Sequence, residues 1–231
     1  KILSLMLVAT MALSMVACGS SASTSADGSS TSKDSATTDA TASGEKILSV
    51  QIGPDPETID PALNSAVDGG NMLLYTHECL LVVGEDGSLQ PGQAESYEVS
   101  EDGLTWTFHL RDGLKWSDGS DLTANDFVYS WKRVCDPMVA APYADTVLSM
   151  VAGYNDAIEG NLDALQVVAA DDNTFVVTLA NNCPFFGSLA AFATLSPVQQ
   201  ATVEANGDAW AVNAETYIGN GSFYIAERQQ L

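Results

Sequence analysis

Across 231 residues the chain carries 30 Asp and Glu against 8 Lys and Arg, a formal net charge of −22 at neutral pH. So acidic a surface excludes nucleic-acid binding, which needs a basic face to neutralise phosphate. It also repels anionic lipid, so membrane contact has to come from an anchor and not from the folded body.

In chain order, Lys1 precedes an almost unbroken apolar run over residues 2–16, too short to span a bilayer comfortably. The run ends in Met15-Val16-Ala17-Cys18-Gly19, small residues leading into a cysteine. That is the pattern of a bacterial lipoprotein signal; the alternative is an ordinary secretory signal with an incidental cysteine. On the first reading residues 1–17 are a signal peptide, and cleavage leaves Cys18 to carry diacylglycerol and tie the chain to a lipid bilayer. Each buried CH₂ of such an anchor contributes about 0.8 kcal/mol, so two or three acyl chains hold it lastingly. Residues 18–45 that follow are nearly all Ser, Thr, Ala, Gly and Asp, without an aromatic side chain. They bury too little apolar surface to fold and read as a disordered tether, averaging roughly 30 Å and reaching ~90 Å when stretched. A tether of this kind suits the outer face of a Gram-positive cytoplasmic membrane, with the periplasmic side as the Gram-negative equivalent.

From residue 46 onward the pattern is mixed α/β with antiparallel hairpins. A strand is expected over 46–52, a helix over 70–79, and a hairpin turning through Glu85-Asp86-Gly87. Thr105, Thr107 and His109 alternate with Trp106, Phe108 and Leu110, the period of a half-buried strand with His109 exposed. Asp112-Gly113 and Asp118-Gly119 supply tight turns. Thr123, three residues before Asp126, then opens a helix. On it Phe127, Val128, Trp131, Val134 and Cys135 share one face, and Lys132 and Arg133 lie outside. A helix over 143–158 contains Gly153, a hairpin over 167–179 turns at 171–173, and short helices cover 188–193 and 197–206. Asn220-Gly221-Ser222 turns into a strand over 223–226. Trp106, Trp116 and Trp131 are expected in the core.

With Cys18 committed to lipid, Cys79, Cys135 and Cys183 make an odd and widely spaced set, not a disulfide framework. Cys135 and Cys183 read as small buried hydrophobes. His77 and Cys79 are too few ligands for a metal site. A hydrolase would need a nucleophile beside a base, yet His77 and His109 are the chain's two histidines and no Gly-x-Ser-x-Gly elbow occurs. Composition alone leaves a carboxylate-pair glycosidase open. No enzyme activity and no cofactor are expected.

Residues 104–133, LTWTFHLRDGLKWSDGSDLTANDFVYSWKR, closely resemble the signature of the family 5 extracellular solute-binding proteins, the oligopeptide- and dipeptide-binding components of ABC importers. Asp55-Pro56-Glu57-Thr58-Ile59-Asp60-Pro61 is similar to that family's opening E-P-x-x-L-D-P, with Asp55 in place of Glu. Pro91-Gly92-Gln93-Ala94-Glu95-Ser96-Tyr97 resembles P-G-L-A-E-S-W, Ala141-Pro142-Tyr143-Ala144 resembles S-P-Y-A, and Asn220-Gly221-Ser222-Phe223 resembles N-G-P-F. The motifs follow the family's order across about residues 47 to 225.

The resemblance implies an α/β, periplasmic-binding-protein-like two-lobe fold of the class II type. Residues 46–77 and 202–231 would belong to the first lobe, and 78–201 to an inserted subdomain. Because the second lobe would follow, the sequence is expected to be an N-terminal fragment that does not hold its solute tightly. By the same analogy Asn64, Ser65, Ala66, Val67 and Asp68 form a ligand-contacting loop, acting largely through the backbone. Tyr143 would reach the ligand from the subdomain, or else be a packing residue after Pro142. The implied function is capture of a peptide by lobe closure and delivery to ABC permease subunits, the peptide pairing its backbone with strand edges. Nickel, haem or oligosaccharide are alternative solutes, and a receptor- or adhesin-type surface lipoprotein is the alternative role.

Overall fold

A computed structural model describes residues 47–51 and 53–228; the expected signal peptide, the tether and Cys18 lie outside them. Four antiparallel strands form the main sheet: β3 (Ala94–Val99), β4 (Thr105–Leu110), β5 (Val167–Asp171) and β6 (Thr174–Thr178), in the order β3-β4-β6-β5. The period of two decides which face is buried. Trp106, Phe108 and Leu110 of β4 point into the core, while Thr105, Thr107 and His109 are half-exposed, His109 less open than its alternation implied. Trp106 faces Val177 and Phe108 faces Phe175 across the β4–β6 register, stacking apolar side chains on one side of the sheet.

Helix α2 (Ala124–Cys135) covers that side, with Phe127, Trp131, Val134 and Cys135 buried. Its start is fixed as expected, since the Thr123 backbone N–H donates to Asp126 Oδ2 at 2.7 Å. Two polar residues depart from the pattern. Ser130 is buried, donating to the Asp126 carbonyl at 2.6 Å and accepting from the Val198 N–H at 2.8 Å. Arg133 is not outside: its side chain is 12% exposed and grips Asp60. Trp106, Trp116 and Trp131 all lie in the core, and the free thiols of Cys79, Cys135 and Cys183 are buried.

Ahead of this layer come α1 (Val67–Thr76) and a two-stranded hairpin, β1 (Leu81–Val83) with β2 (Leu89–Pro91), turning through the expected residues. Helix α1 begins three residues earlier than its apolar pattern implies, and takes in Gly69 and Gly70, both poor helix formers. A Cβ at Gly69 would sit 2.6 Å from the Thr58 carbonyl, so close backbone approach explains the glycine. The helix stops where His77 turns extended.

The expected helix over 143–158 is two short ones, α3 (Ala144–Leu148) and α4 (Tyr154–Ile158). Gly153 breaks it at φ +80°, where a Cβ would meet the Ala164 carbonyl oxygen at 1.8 Å. Later helices are α5 (Phe186–Leu189) and α6 (Gln200–Asn206), with a 3₁₀ turn over Ala193–Leu195 between them. Two expected strands are absent among the described residues. Residues 47–51 are exposed and belong to no strand. Near residue 223, the Gly221 N–H to Thr76 carbonyl bond at 2.9 Å and the Phe223 N–H to Tyr75 carbonyl bond at 3.0 Å stand where a ladder was expected. Alternation marks a strand only where an edge is available to pair with it.

Apolar side chains gather in two clusters. The larger runs from Leu80 to Leu195 and includes Ala62. The smaller holds Ile59, Val198, Val203, Trp210, Ala211 and Tyr217.

Candidate functional site

Asp60-Pro61 turns the chain into the segment 64–68, with the N–H groups of Leu63 and Asn64 donating to the Asp60 carbonyl at 3.1 and 2.9 Å. Ser65, Ala66 and Val67 are exposed, Val67 by 81%. Ala66 has both main-chain groups engaged internally: its N–H donates to Asn64 Oδ1 at 3.4 Å and its carbonyl accepts from Gly70 N–H at 3.0 Å. Asp68 Oδ1 accepts from the Gly69 N–H at 2.9 Å. Main-chain pairing with a ligand on this segment therefore falls to Ser65 and to the N–H groups of Val67 and Asp68, the first two helical residues of α1.

Tyr143 stands at the start of α3, half-buried, directly after a loop in which Ala140 adopts φ +54°. Its ring meets Phe192 edge-on, centroids 5.3 Å apart. That contact gives the packing reading of Tyr143 a concrete partner, and the half-exposed ring leaves a face for a ligand.

A cavity of about 320 Å³ is walled by Leu74, His77, Cys79, Val83, Ala193 and Ser196 among others. None of Asn64, Ser65, Ala66, Val67, Asp68 or Tyr143 lines it. Leu74 follows Val67 by about two turns of α1, and Phe192, which the Tyr143 ring touches, sits between the lining residues Ala191 and Ala193.

Two residues in the wall were not legible as site residues. The Cys79 thiol donates to the Phe192 carbonyl at 3.3 Å and lies 3.2 Å from Ser196 Oγ. Burial pushes its pKa up to about 12, so it stays a neutral thiol and no nucleophile. The His77 ring is buried, with Nδ1 3.2 Å from Thr76 Oγ1 and 3.3 Å from Tyr217 Oη. Thr76 is the adjacent residue, whereas Tyr217 is 140 residues away and no spacing reveals it. Among the described residues no group of three or more His, Cys, Asp or Glu side chains could hold a metal ion.

Burial lowers the His77 imidazole from its ordinary 6.5 to about 4, and the nearby Asp60 carboxylate opposes that shift. Above pH 6.5 the ring is neutral in the folded and the unfolded chain alike. Between 6.5 and about 4 the unfolded chain takes up a proton that the folded chain refuses, so stability falls as the solution is acidified, by roughly 3 kcal/mol over the window. A His77→Phe variant should lose this slope. The check is the difference in urea midpoint between wild type and variant across that pH range, and a flat difference would contradict a buried neutral ring.

Behind the cavity Asp60 anchors a polar cluster. Its carboxylate, 4% exposed, accepts from Arg133 Nη1 at 3.0 Å and Nη2 at 2.5 Å, from Trp210 Nε1 at 3.0 Å, and from the Ala62 N–H at 2.9 Å. It thereby joins the segment before α1 to α2 and to the chain beyond α6. Two other hollows, of about 540 and 620 Å³, are lined by acidic and mixed charged side chains whose groups largely bond to one another.

Comparison with known proteins places this frame. The model of the bacterial extracellular solute-binding proteins, family 5 (middle region), matches residues 88–230. The periplasmic oligopeptide-binding protein OppA of Haemophilus influenzae is 41% identical over 180 residues, covering 77% of this chain and 33% of that protein. The oligopeptide-binding protein OppA of Bacillus subtilis is 37% identical over 227 residues, 96% of this chain and 39% of its own length. The crystal structure of Haemophilus influenzae OppA in complex with RPPGFSPFR superposes with a TM-score of 0.73 at 41% identity, over 78% of this chain and 35% of that one. The chain thus spans about a third of the length of the curated relatives it matches. The mixed α/β fold is the one these relatives share over that part, and the chain belongs to the bacterial extracellular solute-binding proteins of family 5.

Proposed function

We propose that the chain takes part in capturing an oligopeptide or dipeptide outside the cytoplasmic membrane for delivery to an ABC permease. The observation that carries this is the shared sequence and fold with an oligopeptide-binding protein crystallised around a peptide. The local geometry supports it: Ser65 and the Val67 N–H offer unengaged main chain, and Tyr143 offers a half-exposed ring. Cys18, on this reading, carries the lipid that holds the protein at the outer face, with residues 19–45 as its tether. Residues 78–201 form an inserted subdomain and 46–77 with 202–231 the first lobe, a division that the buried members of the two apolar clusters follow except at Ala62, which joins the larger, and Val198, which joins the smaller.

A single substitution tests the peptide contact. Val67→Pro deletes the N–H at the first helical position, where proline is tolerated and no helix bond is lost. Ala66 before it is already extended at φ −116°, ψ 154°, as a residue preceding proline must be. In a titration of the isotope-labelled chain with trialanine, the amides of residues 64–68 and Tyr143 should shift. Val67→Pro should weaken that response several-fold at unchanged thermal stability. Shifts produced by nickel, haem or an oligosaccharide and not by peptides would overturn the peptide assignment.

A further inference from the structure

The two candidate ligand segments belong to different parts of the proposed architecture, 64–68 to the first lobe and Tyr143 to the inserted subdomain. Among the described residues no hydrogen bond joins 64–68 directly to the loop 136–143. Their relative placement is therefore set elsewhere.

On the first-lobe side Asp60 shapes the turn that delivers 64–68. Its carbonyl accepts from the N–H groups of Leu63 and Asn64 at 3.1 and 2.9 Å, and its Oδ1 accepts from that of Ala62 at 2.9 Å. Main chain and side chain of one residue thus fix the same turn. A displacement of the carboxylate carries the segment with it.

On the subdomain side Arg133 lies in the last turn of α2. Its carbonyl accepts from the Asp136 N–H at 3.1 Å, and Asp136 in turn organises the loop that leads to Tyr143. The Asp136 carbonyl takes the N–H groups of Val139 and Ala140 at 3.0 and 3.1 Å, and its Oδ1 takes that of Met138 at 2.8 Å. Pro137 and Pro142 lock φ within the same stretch. Ala140 is held at φ +54°, strained for a residue with a β carbon; every other positive φ among the described residues falls on a glycine. A backbone constrained at so many points transmits a shift of the end of α2 to Tyr143 instead of absorbing it.

The Arg133–Asp60 pair closes the path between the two sides. Both terminal nitrogens of the guanidinium meet the carboxylate, at 3.0 and 2.5 Å, a planar fork that fixes orientation as well as distance. With side chains 12% and 4% exposed, the pair is shielded from water. Burial makes such a pair a poor source of stability, because desolvation of the two charges consumes most of their attraction, and apolar side chains of similar volume often do as well. What apolar side chains do not supply is the geometry of the fork.

We propose that the Asp60–Arg133 pair is a positioning strut, which sets Tyr143 relative to the segment 64–68 so that one peptide meets both. The strut rests on the reading of the chain as a peptide binder, and adds to it two residues that act through others without touching the ligand. With both contacts fixed beforehand, the peptide need not order them on binding, and its affinity rises accordingly.

The test titrates the 231-residue chain, labelled with nitrogen-15, with trialanine. In the wild type the amides of 64–68 and Tyr143 should shift with one common midpoint. Arg133→Met should raise that midpoint about 5-fold or more, the lower end of the coupling seen between two sites. Arg133→Lys keeps the charge but not the fork, and should fall between the two. Val177→Ala is the control for stability alone. It opens a cavity on the buried face of β6, where Val177 faces Trp106 and Val167, and shares no partner with the pair, so it should bind trialanine as the wild type does. The strut is overturned if Arg133→Met leaves the affinity unchanged, if Val177→Ala weakens it as much, or if the two segments of the wild type shift with separate midpoints; in each case the proposed function stands. Should Arg133→Met fail to fold, Arg133→Lys against the same control decides. A wild-type chain in which trialanine moves no amide loses the peptide reading, and the strut with it.

Discussion

Asp60→Ala is expected to destabilise the folded chain by roughly 3–5 kcal/mol, the cost of removing one partner from a buried ion pair and stranding the other. The carboxylate is the hub of its cluster because four donors converge on it: both terminal nitrogens of Arg133, the Trp210 indole and the Ala62 N–H. Deleting it strands a guanidinium that is 12% exposed, and leaves an indole N–H and a backbone N–H without acceptors. Arg133→Met leaves the carboxylate with two of its donors and fills much of the same space, so its cost should be smaller, about 1–3 kcal/mol. Urea midpoints at fixed slope measure both. If Arg133→Met costs as much as Asp60→Ala, the cluster is a simple ion pair and the Trp210 and Ala62 contacts contribute nothing.

That cluster also shows where sequence reasoning stops. The strand β4 and the helix α2 were legible because their signals are local: a period of two over six residues, and a Thr123–Asp126 capping pair three apart. Both hairpins announced themselves through their turn residues. Arg133, by contrast, reads as solvent-facing from its position on α2, and only a carboxylate 73 residues earlier draws it inward. Gly153 was legible as a poor helix former, but not as a break, because the Ala164 carbonyl that forbids a side chain there arrives from a later turn. Over 47–51 the expected strand is missing for the converse reason: the local pattern is present, and no edge pairs with it among the described residues.

The candidate site divides in the same way. Segment 64–68 and Tyr143 have plain side chains, and only their place within motifs resembling a family singled them out. Their exposure and free main-chain groups emerge from three dimensions. His77 was legible as a histidine near a cysteine, a pair with too few ligands for a metal site. Its neighbour Thr76 is local, but the Tyr217 hydroxyl that meets the same ring nitrogen comes from 140 residues away and leaves no trace in local spacing. Long-range partners thus decide both what holds this fold together and which atoms it leaves unpaired.

Trp131→Ala should be as damaging as the loss of Asp60, for an apolar reason. The indole is fully buried on α2, edge-on to Phe175 of β6 at 5.0 Å and to Phe186 of α5 at 6.1 Å, so it joins the helix to the sheet and to the segment beyond it. Truncation to alanine removes one of the largest side chains in the core and leaves a cavity that rigid neighbours cannot collapse into, a loss of about 3–5 kcal/mol. The indole N–H also donates to the Leu195 carbonyl at 3.1 Å, and Trp131→Phe separates the two effects. Phenylalanine keeps most of the ring contact and deletes the hydrogen bond, at an expected cost of about 1–2 kcal/mol. Since whole domains are stable by only about 5–15 kcal/mol, the alanine variant should melt far below the wild type while the phenylalanine variant stays folded. Should phenylalanine cost as much as alanine, the hydrogen bond that fixes Leu195 against α2, and not the packing of the aromatic cluster, is what holds the helix on its sheet.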